Sequence, residues 1–287
     1  MMNEDIGGTT SNKHQISAIS FLPLLVLAIL VTLVAQAFHE TGHRMVYQLT
    51  GHSPVWGFTK LVQIWDTPPI NPAGWVAVRG PDGEPGWLRL SSPVASTAEE
   101  AVSAAAGPLA GLFGALLGLA LALLSKKLVL KQVGLAFSLS ASLAAVLYYL
   151  RSPLRTGGDE YDLAISLGVS KSLVEIPLAL AFAICLIWAL RELPSWRARA
   201  TWLGTLLLGS AAMGIAMMSA DSLVIAQVDA GNPWFRPILG VTFPVFLANG
   251  LALIGIWLWV RWQTKHTRLS EQRQAEETFQ VGRVGTK

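Results

Sequence analysis

Apolar residues fall in long runs along this chain, and polar residues gather between the runs. Residues 18–38, AISFLPLLVLAILVTLVAQAF, are dominated by apolar and small side chains. About 20 such residues cross a bilayer as a helix. The helical pattern continues through HETGHRMVYQLT to Gly51, a residue suited to a helix C-cap. Runs at about 100–124, 132–150, 173–190, 201–219 and 240–260 predict five further spans. The expected fold is therefore an all-α polytopic membrane protein of about six transmembrane helices.

The segment 52–98 breaks this pattern. It holds Trp56, Trp65, Trp75 and Trp87, many prolines and glycines, and short alternating pieces such as GWVAVRG and GWLRLSS. RGPDGEPGW reads as a hairpin turn. The expectation is a small β-rich insertion after helix 1, lying at the membrane interface where tryptophan is favoured. The chain then divides into a polar N-terminal tail (1–16), a membrane core (17–170) and three additional helices (171–262). A polar C-terminal tail (263–287) follows, disordered or a surface helix. AQA at 35–37 resembles a signal-peptidase site, but the apolar stretch before it exceeds the roughly 7–15 residues of a signal core. It reads as a retained span.

Composition agrees with the pattern. Of 287 residues, 52% are hydrophobic and 14% charged, against about 25% charged in soluble domains. Lys and Arg cluster at the ends of apolar runs, which suits lipid headgroups, and no basic patch interleaved with aromatics points to nucleic acid. The loops on the side of the termini carry the larger share of Lys and Arg, which places both termini in the cytoplasm. The single cysteine, Cys185, lies in an apolar run and reads as a packed small residue.

AFHETGHRM, residues 37–45, closes the first span with groups that are costly in lipid. His39 and His43 stand four apart, on one face of a helix, a spacing at which two neutral imidazoles can bind one Zn²⁺. Glu40 beside the first histidine can take a proton from water at such an ion and later give it to a leaving amine. With five histidines in the chain, a chance H-E-x-x-H match is rare. A third protein ligand is required. In the soluble H-E-x-x-H-x-x-G-x-x-H pattern the glycine would fall on Val46 and the third histidine on Leu49, so that pattern fails. The best distal candidates lie in LRTGGDEYDLA, 154–164, where Asp159, Glu160 and Asp162 offer carboxylates after two glycines. The other reading of that stretch is an acidic helix start.

These residues together resemble the site-2 protease family of intramembrane zinc metalloproteases. His39-Glu40-Thr41-Gly42-His43 resembles the family's first core helix, and 52–98 the β-hairpins that follow it. AAAGPLAGLFGALLG (104–118) resembles the start of the second core helix, and RTGGDEYD the aspartate motif of the third. The resemblance implies His39 and His43 as zinc ligands, Glu40 as general base and acid, and Asp159 as third ligand, with Asp162 the alternative. It implies a membrane-protein or peptide substrate, cut in or next to its transmembrane segment; an exposed β-edge in 52–98 is our candidate for holding the unwound substrate as an added strand. The sequence departs from the family where Arg151 and Pro153 replace an Asn-x-x-Pro and where Gly111 replaces an asparagine, so the substrate-holding and oxyanion roles stay unassigned. The family faces its H-E-x-x-H to the cytosol, whereas the charge bias faces it outward. The competing reading is a non-catalytic membrane protein that binds metal or partner helices.

Small residues Ala104, Gly107, Gly111, Gly114 and Gly118 mark a close-packing face of the second span. Pro244 and Asn249-Gly250 predict a kink in the sixth. Asp221 and Asp229, at or beyond the end of the fifth, read as solvated.

Overall fold

The computed structural model describes residues 19–51, 56–59, 75–79, 85–89, 96–154, 157–235 and 241–284. The chain runs α1 (Phe21–Leu49), β1 (Trp75–Arg79), β2 (Pro85–Arg89), α2 (Thr97–Leu124), α3 (Leu128–Arg151), α4 (Asp159–Leu167), α5 (Lys171–Arg191), α6 (Trp196–Asp229) and α7 (Phe243–Val284). Six of these helices are long and apolar enough to cross a membrane, all but the short α4. The chain is a multi-pass, all-α membrane protein.

Local chemistry explains the helix limits. Ser96 caps α2 by accepting the Glu99 N–H, and Glu99 and Glu100 lie in the first turn, where the helix dipole favours carboxylates. Gly51, at φ +86°, follows the end of α1. Gly168, also at positive φ, closes α4. Pro244 falls in the first turn of α7, where no intrahelical N–H is lost, and Asn249 turns its amide back onto the Val245 carbonyl. The helix is continuous past both positions and through 263–284, so the stretch expected as a disordered or surface-helical tail is helical. The N-terminal tail 1–16 lies outside the described residues.

The β-rich insertion shrinks, among the described residues, to one two-stranded antiparallel sheet that pairs Trp75 with Arg89 and Arg79 with Pro85. The turn between the strands and most of 52–98 lie outside the described residues.

Helix α1 is the hub, packed against α2, α3, α6 and α7. Its first half buries Leu24, Leu27, Ala28 and Val31 against Leu135, Leu139, Trp202 and Leu206. In lipid, apolar burial alone does not drive helices together, so close packing and polar contacts carry the association. Glycines supply the closeness. A Cβ on Gly118 would lie 2.9 Å from the Gly134 carbonyl, so α2 and α3 cross backbone to backbone there. Polar contacts add to it where the Thr32 hydroxyl meets Ser140 and Ser210, both at 2.9 Å, and ties α1 to α3 and α6. Such bonds contribute roughly 0.6 kcal/mol each in a membrane.

Asp221 corrects the sequence reading. It is 2% exposed, within α6 rather than beyond it. Its carboxylate accepts the Phe58 N–H, the Thr59 N–H at 2.8 Å and the Thr59 hydroxyl at 2.6 Å. Trp56 bridges to Val241 alongside. The last helices thus clamp the chain that leaves α1, and the buried charge is satisfied by two backbone donors and a hydroxyl. The side chain of Asp229 lies outside the described residues.

Candidate metal centre

The C-terminal half of α1 continues the helical run of the first span, so His39 and His43 project from one face, one turn apart. The third group comes from far along the chain. Residues 152–154 form a 3-10 turn after α3. Ser152 fixes this turn to α5 by donating to Glu175, and Lys171 spans both, 3.3 Å from Glu175 and 3.3 Å from the Ser152 carbonyl. Gly158 then adopts φ +109°, which strains any residue with a side chain, and a Cβ there would also strike the Tyr148 hydroxyl. This turn starts α4 and delivers Asp159 to α1.

Three ligand-type atoms converge. His39 Nε2 lies 3.1 Å from Asp159 Oδ2, His43 Nε2 lies 3.2 Å from the same oxygen, and the two imidazole nitrogens are 3.3 Å apart. A tetrahedral ion with bonds of about 2.0–2.1 Å sets its ligand atoms about 3.3 Å apart. The triangle has that size. Of the described residues, His39, His43 and Asp159 form a group able to share an ion; Asp162, the alternative, is not a member of it.

The protonation pattern points the same way. His43 Nδ1 sits 2.7 Å from the Ser103 carbonyl, a contact that requires Nδ1 to carry a proton. In a neutral ring Nε2 then presents a lone pair to the Asp159 carboxylate, and two lone pairs at 3.2 Å repel unless a cation or a shared proton lies between them. Orientation of a histidine by a backbone carbonyl is the usual outer support of a metal ligand. Burial alone would raise the Asp159 carboxyl, but in the proton-shared form the charge of a protonated His43 and hydrogen bonds from His39 and His43 outweigh it and hold the carboxyl well below the usual range. Asp162 behaves oppositely: burial first, then the Asp159 and Glu100 charges, push it up to about 6.

Glu40 is 3% exposed and accepts a hydrogen bond at 2.8 Å from Gln36, one turn earlier on α1. His39 and Asp159 also line a cavity of about 350 Å³. Its walls include Gln36, Gly111, Tyr149, Glu160 and Phe182, and neither His43 nor Glu40 is among them. The side chains of His39 and Asp159 are 29% and 34% exposed while that of His43 is 9% exposed. An ion held by the three groups would therefore be closed on the His43 side and open toward the cavity.

The small-residue face of α2 is what permits this. Gly107 lies directly on His43, so a Cβ there would overlap the imidazole. A Cβ on Gly42 would meet Ala110 at 2.7 Å. At Gly111 a Cβ would stand 3.8 Å from His39 Nδ1, in ordinary contact. Gly107→Ala is accordingly expected to weaken metal affinity by about 10- to 100-fold, the effect typical of disturbing a ligand's support. Gly111→Ala should leave it within about twofold. Competitive titration with a chromogenic chelator reads both.

Of the four residues expected from the sequence, His39, His43 and Asp159 converge, and Glu40 lies next to His39 on α1, outside that group. Sequence reading missed Gln36, whose position four before Glu40 on a helix was the available signal. It also missed Ser103, which acts through its carbonyl and leaves no side-chain signature, and the Tyr149–Glu160 pair, joined at 2.6 Å across separate helices. Cys185 is buried and unpaired, a packed side chain in α5. No family model, curated protein or solved structure matches the chain.

Proposed function

We propose that this chain is a zinc-dependent intramembrane endopeptidase of the site-2 type, which hydrolyses peptide bonds in or next to the transmembrane segments of other membrane proteins. The observation that carries the reading is the convergence of His39 Nε2, His43 Nε2 and Asp159 Oδ2, from two separate helices, at 3.1–3.3 Å beside the buried Glu40. The donor set of two imidazoles and one carboxylate suits zinc, and three protein ligands leave a position for water or substrate.

A bound zinc would supply a Lewis acid for the scissile carbonyl and a water acidic enough to lose its proton near neutral pH. The remaining work belongs to the chain. His39, His43 and Asp159 hold the ion, and the Ser103 carbonyl keeps the His43 ring turned toward it. Glu40, steadied by Gln36, takes the proton of the attacking water and passes it to the departing amine. The cavity, lined by residues of α1, α2, α3, α4 and α5, gives a substrate segment room beside the three groups. The edge of the β1–β2 sheet offers main-chain partners to an unwound substrate strand. The protein acts in a bilayer, which we take to be the cell membrane.

The test uses purified full-length chain with a panel of synthetic Leu/Ala-rich transmembrane peptides in detergent micelles, products read by mass spectrometry. Cleavage at defined bonds is expected, abolished by a chelator and restored by added zinc. Cleavage that persists in chelator would contradict the metal mechanism. Absence of cleavage across the panel by zinc-loaded protein would favour the non-catalytic reading, to which the missing family asparagines point.

A further inference from the structure

Among the described residues that line the cavity beside the metal-type triangle, one buried side-chain oxygen is without a hydrogen-bond partner. Most of the cavity's polar lining is accounted for: Thr32 and Ser140 bond to each other, and Gln36 bonds to Glu40. Glu160 differs. It is 3% exposed and lines the cavity, its Oε1 accepts the Tyr149 hydroxyl at 2.6 Å, and its Oε2 is buried with no hydrogen-bond partner among the described residues. A buried carboxylate oxygen left unpaired costs free energy, and such atoms in native structures call for a reason. Tyr149 holds the carboxylate by one oxygen and leaves the other for an incoming donor.

A substrate helix brings such donors. Before its scissile bond can reach the site it must unwind, and each unwound residue loses a main-chain hydrogen bond that no lipid replaces. The site must then offer acceptors for the freed N–H groups. Glu160 directly follows Asp159, so its Cα lies about 3.8 Å along the chain from that of a proposed ligand. Glu160, His39 and Asp159 line the same cavity, so a peptide that reaches the triangle through it passes the Glu160 side chain.

We infer that Glu160 is a substrate-positioning residue, whose Oε2 accepts a main-chain N–H of the unwound substrate next to the scissile bond, with Tyr149 holding the carboxylate in place. This rests on the protease reading above and assigns one of the substrate-holding roles that the sequence left open.

The experiment is a double-mutant cycle between enzyme and substrate. The probe is a cleaved Leu/Ala-rich transmembrane peptide, remade as a series in which single amides flanking the scissile bond become esters and so lose one N–H each. Wild type and Glu160→Gln, each checked for zinc content, are compared on the series by kcat/KM. Glu160→Gln should hold zinc like wild type and cleave the parent peptide about 10- to 100-fold more slowly, the loss of one hydrogen bond to a charged group. Wild type should show a similar loss on one particular ester, and Glu160→Gln should lose little further on it. A merely structural role would make the two losses multiply. Losses that multiply for every ester, or a Glu160→Gln chain as fast as wild type, would overturn the inference while leaving the protease intact. If Glu160→Gln does not fold, wild type alone decides: a series in which no flanking ester slows cleavage overturns the inference. Wild-type protein that cuts no peptide overturns the protease reading instead, and this inference falls with it.

Discussion

A Glu40→Gln chain is expected to hold zinc as tightly as wild type and to cleave transmembrane peptides roughly 10²- to 10⁴-fold more slowly, the contribution typical of a positioned general acid–base group. The substitution is nearly isosteric and keeps an oxygen to accept the Gln36 amide, so the buried packing around position 40 survives. What it removes is the ability to take a proton. Glu40 lies beside His39 but outside the convergent triangle, so its loss should not reach the metal. Side-by-side zinc analysis and initial-rate assays of the two proteins separate binding from chemistry. A Glu40→Gln chain with full activity would end this mechanism, because no second carboxylate has been assigned that role. A chain that loses both zinc and activity would make Glu40 a ligand and redraw the site.

The membrane helices were legible because each carries its own apolar run, and lipid demands such runs of any spanning helix. Their ends were less so. The helix of the fifth span, whose apolar run is expected at 201–219, extends over Trp196–Asp229 because the polar positions Asp221 and Gln227 fall on a helix that leaves the apolar pattern without stopping. Asp221 shows why burial could not be read from type: its partners are backbone groups of 58 and 59, more than 160 positions away. The H-E-x-x-H face was legible because helical spacing alone puts His39 and His43 together. The choice between Asp159 and Asp162 was not, since it depends on the positive-φ turn at Gly158 and on which side of α4 meets α1. The β-rich reading of 52–98 rested on aromatic alternation and turn residues; among described positions these make one hairpin.

The second large effect concerns the metal itself. His43→Ala removes a ligand-type nitrogen that is buried, supported by the Ser103 carbonyl and packed on Gly107, with nothing nearby shown to replace it. Asp159→Ala removes the oxygen shared by both imidazoles and leaves two histidines that no longer converge on a negative group. Either substitution leaves two protein ligands, which bind zinc far more weakly than three, so both variants should lose the ion during purification. Asp162→Ala lies on the same short helix and removes the same chemical group, yet it falls outside the triangle and should keep it. The pair Asp159→Ala and Asp162→Ala therefore controls for any general effect of losing a carboxylate from α4.

The most direct measurement is zinc per chain, by elemental analysis of chelator-free protein, for wild type, His43→Ala, Asp159→Ala and Asp162→Ala. The account predicts about one zinc in wild type and in Asp162→Ala, and none in the other two. Wild type without zinc, even after incubation with the metal, would contradict it.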